Sequence, residues 1–247
     1  MIYLLIHSLV PDISLSGKLE GIVKGKTRSG LLYECERIIG HCRPKYLLLE
    51  NVKNLVGKKF KPQFDEWLAY LESLGYTNYW EVLNAKHYGV PQNRERVFVV
   101  SILGDHKPYQ FADPIPLDKC IADILEDEVD EKYYINKPFH LVDKGHQAEL
   151  DIKGMDCIKR VYGANGISPT LNTMQGGNRQ PKILEGLDYR IRKLTPRECF
   201  RLMGMRDDDI DKIQAAGISN TQQYKMAGNS IVVNVLEAIF KNLFMEG

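Results

Sequence analysis

The order of apolar and polar positions sets out the elements of this chain before any single residue matters. Residues 28–40 (RSGLLYECERIIG) place Leu31, Leu32, Cys35 and Ile38 at helical spacing, and Gly40 can end that helix. Residues 45–52 (KYLLLENV) form a continuous apolar run closed by polar residues, as in a strand buried on both faces of a parallel sheet. In KPQFDEWLAYLESLGY, Phe64, Trp67, Leu68, Leu71 and Leu74 mark one helical face, and Gly75 stops it. YWEVLNA and RVFVVSIL read as two further strands. Helix, strand, helix, strand, strand predicts an α/β layer fold, here starting without the first strands such a sheet usually has.

Between residues 104 and 190 the periodicity fades, and Gly, Pro, Asn and Tyr increase. One acidic helix is predicted at IADILEDEVDEK, residues 121–132, as a solvated face turned away from any polyanion. Regularity returns at TPRECFRLMGM, where Thr195 and Glu198 form a capping box with Pro196 at the first helical position. A last helix is expected to start near Asn229-Ser230. Its buried stripe is Ile231, Val232, Val235, Leu236, Ile239, Phe240 and Leu243.

Composition narrows the function classes. The chain has 247 residues, 44% hydrophobic and 26% charged, enough for a real core. A formal net charge of +1 is not the footprint of a protein that grips nucleic acid by charge alone, so any such role rests on local patches. Cys35, Cys42, Cys120, Cys157 and Cys199 are odd in number and include no CxxC pair. Neither a disulfide framework nor a metal site is expected, and a reducing, cytoplasmic setting fits. The apolar start, MIYLLIHSLV, is too short to cross a bilayer, which takes roughly 20 residues, and it lacks the flanks of a signal peptide.

Four segments then stand out in order. Glu50-Asn51-Val52 ends a buried strand. Tyr88-Gly89-Val90-Pro91 leads into Gln92-Asn93-Arg94-Glu95-Arg96-Val97. Arg192-Lys193-Leu194-Thr195-Pro196-Arg197-Glu198, followed by Arg201-Leu202-Met203-Gly204, opens a helix. Ala227-Gly228-Asn229-Ser230-Ile231-Val232-Val233 begins the last one. In order and spacing together they resemble the DNA cytosine-5 methyltransferase family, over nearly the whole chain from about Asp12. The fold implied is an incomplete Rossmann-like methyltransferase sheet with an inserted small target-recognition domain. The expected organisation is a partial catalytic domain over 1–104 and a target-recognition domain over 105–190. A hinge helix and a C-terminal helix over 191–247 would pack back on the catalytic domain.

The resemblance implies a chemistry. A cysteine thiolate adds to carbon 6 of a cytosine flipped out of double-stranded DNA, making carbon 5 a nucleophile toward the methyl group of S-adenosylmethionine. It places Glu50 at the ring-binding carboxylate. Read alone, Glu50 is an ordinary acid ending a strand. Arg96 matches the residue that reaches the flipped nucleotide and its phosphate, and Arg94 one that holds the active-site loop or helps at the ring. A guanidinium fork suits an anion. Asn229 and Ser230 match positions beside the methyl donor; as a helix start they would offer free amides, and either is also a simple N-cap. Thr170 and Leu171, in GISPTLNTMQGGNRQPKI, resemble the target-recognition region. There Gly176 and Gly177 allow close approach to DNA, and Gln175, Asn178, Arg179 and Gln180 are types that read base edges. The same text also suits a polar glycine-rich turn.

Other features depart from the family. Aligning Asp12–Lys18 on the family's serine- and glycine-containing loop puts Leu9 at the proline and Val10 at the nucleophilic cysteine, and valine is no nucleophile. The family's glycine-rich donor turn and following acids, about two to three strand–helix units of roughly 30 residues, have no counterpart in the sequence. Residues 2–10 can be encoded so that a shifted frame reads Leu-Leu-Thr-Tyr-Ser-Phe-Pro-Cys, which leads to the expectation that this stretch is an out-of-frame reading. The expected function is a DNA cytosine-5 methyltransferase of restriction-modification type, inactive as this chain alone. Alternatives are the C-terminal subunit of a split enzyme, complemented by an N-terminal chain, or a non-catalytic DNA-binding module. A sheet lacking its first strands would expose an apolar edge, predicting poor solubility.

Overall fold

The computed structural model describes residues 3–7, 32–174, 178–186 and 189–245, with side chains from residue 34 onward. Contacts divide the chain into two compact units. One comprises residues 1–84, 95–112 and 239–247, the other residues 85–94 and 113–238.

The first unit is built on a four-stranded sheet in the order β1-β2-β5-β3, with β1 Tyr3–His7, β2 Tyr46–Val52, β3 Tyr76–Asn84 and β5 Glu95–Leu103. The strand expected over 45–52 is β2. It lies parallel to β1 on one side and antiparallel to β5 on the other, so the sheet is mixed. Its central residues are buried because both faces are covered. Leu47 and Leu49 join Ile39, Leu55, Phe60, Phe64, Trp67, Leu71, Tyr76, Val97 and Val99 in one core. Helix α2 (Lys61–Ser73) begins with Pro62 in its first turn and buries Phe64, Trp67, Leu68 and Leu71 of the stripe read from the sequence, while Leu74, its fifth member, is the half-buried C-cap just past the helix. Gly75 follows at φ 87°, a left-handed conformation that costs glycine nothing and lets the chain turn directly into β3.

Helix α1 (Leu32–Cys42) runs past its expected end at Gly40. Gly40 instead lies under the Tyr70 ring hydroxyl, 3.0 Å from where a Cβ would stand. Arg43 closes the helix at φ 47°, its N–H donating to Ile39 O at 2.9 Å.

The second unit holds a five-stranded sheet in the order β11-β10-β8-β7-β6: β6 Phe139–Leu141, β7 Ala148–Leu150, β8 Arg160–Gly163, β10 Lys182–Glu185 and β11 Arg190–Lys193. Ala148, Leu150, Val161, Leu184 and Ile191 make its core. The short helix α3 (Asp156–Lys159) precedes β8, and β4 (Gln92–Asn93) pairs in parallel with β9 (Ser168–Pro169). Helices α4 (Pro196–Arg201), α5 (Asp207–Ala215) and α6 (Asn220–Asn229) complete the unit; α7 spans Val233–Phe244. The capping box at α4 forms as read, with Thr195 accepting from Glu198 N–H and the Glu198 carboxylate accepting from Thr195 N–H.

Three expectations are corrected. The acidic helix over 121–132 is absent: Ile121–Ile124 and Glu131–Tyr133 are separate 3₁₀ turns. Residues 126–131 hold five carboxylates that repel one another within a helix, and tertiary bonds draw the chain away. Glu126 N–H donates to Glu198 Oε1 at 3.0 Å, and its carboxylate accepts from the Thr195 hydroxyl. Second, Asn229 ends α6 and Ser230 caps it, so this pair sits at a helix C-terminus rather than at the start of the last helix. Third, Val232, Val235 and Ile239 are buried, but Phe240 is 40% exposed and leaves the stripe.

Candidate active site and recognition segment

Glu50 is a fully buried carboxyl side chain near the C-terminal end of the central strand β2. Strand C-termini are where open α/β sheets place ligands. The register explains its partner. Glu50 lies opposite Phe98 on β5, and Arg96, two residues away, shares that face as its diagonal neighbour. Arg96 Nε stands 3.1 Å from Glu50 Oε1, and Nη1 donates to Glu95 O at 2.8 Å. Burial lowers the Arg96 guanidinium from its ordinary value, and the Glu50 carboxylate opposes that shift. A buried carboxylate costs several kcal/mol unless it is paired, so the ion pair with Arg96 holds Glu50 in place.

Arg94 belongs to the second unit. Strand pairing breaks between β4 and β5, so Arg94 does not follow the face of Arg96. At 3% exposure it donates to three backbone carbonyls: Nη1 to Leu171 O at 2.8 Å, Nη2 to Gly228 O at 3.1 Å and to Ser230 O at 3.0 Å. Its geometry is that of a brace between the start of the recognition segment and the end of α6. Gly228 is required there, because a Cβ would stand 2.0 Å from Asn172 O.

Of the predicted recognition residues, Thr170 and Leu171 separate. Thr170 is exposed, its hydroxyl donating to Asn93 O at 2.6 Å. Leu171 is 1% exposed with its N–H and C=O both engaged, so its side chain is part of the core. Arg179 is exposed. Val10, Gln175, Gly176 and Gly177 lie outside the described residues.

Asn229 is exposed, whereas the Ser230 hydroxyl donates to Met226 O at 2.8 Å. A helix C-terminus presents carbonyls, and here Arg94 takes two nearby ones. The amide-rich anion site expected of a helix start is therefore not formed. The described residues do not by themselves fit a methyl-donor site. Among the described residues no group of three or more His, Cys, Asp or Glu side chains is placed to hold a metal, and no helix is long and apolar enough to cross a membrane.

Sequence reasoning assigned no role to Lys182 or Gln92. Lys182, 1% exposed, donates to Asn178 O at 2.7 Å and Gln180 O at 3.2 Å. Burial first, then Lys193 across the strand pair, push it down to about 8, with Cys157 opposing. Its place in the apolar run KILE was the available signal. Arg192 and Glu198 form a buried bidentate pair, both bonds 2.9 Å, and Arg192 Nε also meets Glu185.

These features define a class, a Rossmann-like α/β fold with a buried acid at a central strand end. A solved methyltransferase of Entamoeba histolytica, EhMeth, shares the fold at TM-score 0.73 with 17% identity, covering 99% of this chain and 77% of its own. Residues 11–245 match the family described as C-5 cytosine-specific DNA methylase, and the chain belongs to that family. It is 44% identical over 234 residues to the type II methyltransferase M2.ScrFI of Lactococcus lactis subsp. cremoris, covering 94% of this chain and 64% of that relative. It is 34% identical to the orphan methyltransferase M.SPBetaI of Bacillus phage SPbeta, over 92% of this chain and 72% of that one. The family uses S-adenosylmethionine as methyl donor.

Proposed function

We propose that this chain carries the cytosine-binding and target-recognition part of a DNA cytosine-5 methyltransferase acting on double-stranded DNA. The observation that carries the reading is Glu50, buried at a strand end and held by Arg96 at 3.1 Å. The target cytosine leaves the stack, at a cost of a few kcal/mol. One Glu50 oxygen accepts from the exocyclic amino group and the carboxyl group faces the N3 edge, where charge changes as carbon 5 becomes nucleophilic. Arg96 keeps that carboxylate oriented and balances it. Thr170 and Arg179, both exposed, contact the duplex, with Arg179 suited to a base edge or a phosphate.

Val10 at the family's cysteine position supports a second element of the reading, that this chain alone does not form the carbon 6 adduct. The reaction therefore draws its donor segment and Pro-Cys nucleophile from protein outside residues 1–247, on the same or another polypeptide. The test mixes the full chain with the corresponding part of the Lactococcus relative and reads cytosine methylation of a DNA library by bisulfite sequencing. The expected result is no methylation by either part alone, sequence-specific methylation by the mixture, and its loss with Glu50→Gln. Equal methylation with Glu50→Gln would remove Glu50 from the chemistry. Methylation by residues 1–247 alone would overturn that dependence.

A further inference from the structure

Gln92 is fully buried on β4, and both ends of its carboxamide are used. Nε2 donates to Leu202 O at 2.7 Å, at the end of α4, and Oε1 accepts from Leu171 N–H at 3.0 Å. One side chain thus bridges the end of the capping-box helix and the recognition segment. Its neighbours bind the same stretch: β4 pairs in parallel with Ser168 and Pro169, Thr170 donates to Asn93 O, and Arg94 takes Leu171 O. The backbone of Leu171 is gripped at its N–H by Gln92 and at its C=O by Arg94. A buried amide that needs one donor and one acceptor in fixed places admits no other side chain of that length, since Glu cannot donate and Leu can do neither.

We infer that Gln92 is the positioning residue that sets the register of the Ser168–Leu171 segment, and through it the placement of exposed Thr170 against DNA. This rests on the proposed role of that segment in target recognition. A slip of one residue in an extended segment turns its side chains to the opposite face, so the tie at Leu171 N–H governs which residues meet the duplex. Gln92 touches no substrate and acts only through this segment.

The test uses the full chain in three forms, wild type, Gln92→Leu and Gln92→Glu. A random duplex library is first enriched on the wild type to give a preferred sequence. Binding to that duplex and to a scrambled one is then measured across salt concentrations. In parallel, hydrogen exchange at the Leu171 amide is followed without DNA. Gln92→Leu is expected to lower the preferred-to-scrambled ratio about tenfold, as for one or two lost buried hydrogen bonds, and to speed Leu171 exchange. Binding to scrambled DNA and its salt slope should not change, since phosphate contacts are untouched. Gln92→Glu keeps the acceptor for Leu171 and loses the donor to Leu202, so it should retain more Leu171 protection than Gln92→Leu. A Leu171 amide equally protected in all three forms overturns the tie. Faster exchange with an unchanged ratio overturns its role in recognition. A wild type without any sequence preference overturns the recognition reading itself, while the exchange data still decide whether Gln92 holds the segment.

Discussion

Replacing Lys182 with Met removes a buried ammonium while keeping most of its volume, and the consequence has a definite pH dependence. Lys182 is 1% exposed, and its ammonium is held by two carbonyls, Asn178 O and Gln180 O. Its folded value is about 8, against about 10.4 in an unfolded chain. Between these values the unfolded state binds more protons, so this group makes the fold more stable as pH rises. Below pH 8 the penalty of keeping the ammonium buried is fully present, about 3 kcal/mol at 1.36 kcal/mol per pH unit. By pH 9.5 roughly 2 kcal/mol of it is gone, and above about 10.4 it vanishes. Methionine carries no such penalty, but it leaves the two carbonyls without this donor, an offset of about 1–3 kcal/mol that does not vary with pH. Urea denaturation of both proteins, followed by circular dichroism at pH 7 and pH 9.5, gives the difference in unfolding free energy. The wild type should gain on Lys182→Met by about 2 kcal/mol over that interval. A difference constant with pH would refute the argument, since it would mean that Lys182 titrates alike in both states.

Glu198→Gln strips the charge from the buried partner of Arg192 and should cost about 3–5 kcal/mol in urea unfolding. The double variant with Arg192→Met should cost clearly less than the sum of the two single changes. Gly228→Ala should separate α6 from the backbone at Asn172, because its Cβ would meet Asn172 O at 2.0 Å. It is expected to destabilise by about 1–3 kcal/mol and to raise hydrogen exchange at Leu171, read by NMR. Wild-type exchange in that variant would contradict the close approach.

The elements read best from the sequence were those whose burial is set locally. The stripe of α2, the continuous apolar run of β2 and the capping box at Thr195–Glu198 all form where their residues place them. Glu50 and Arg96 were named from motifs, and the strand register explains why they meet. The sequence could not show that Asn229 closes one helix instead of opening another. Ala227 to Val235 carries apolar spacing on both sides of the break, and it is Arg94, far away in the chain, that binds the carbonyls there. Nor could it show that Glu126 leaves a helical pattern for Thr195 and Glu198, or that Leu171 is core beside an exposed Thr170. Each depends on a partner that local periodicity does not contain.

The central claim is that Glu50 receives a cytosine taken out of the duplex. It is tested most directly by binding, which needs neither nucleophile nor donor. Affinity is measured for the preferred duplex with its target cytosine paired, and for the same duplex with that cytosine opposite an abasic position, where extrusion costs less. Wild type should bind the second duplex about tenfold or more tightly, corresponding to at least about 1.4 kcal/mol of unpairing saved. Glu50→Gln should lose most of that gain, with binding to paired DNA little changed. An equal gain in both proteins, or none in the wild type, would contradict the account.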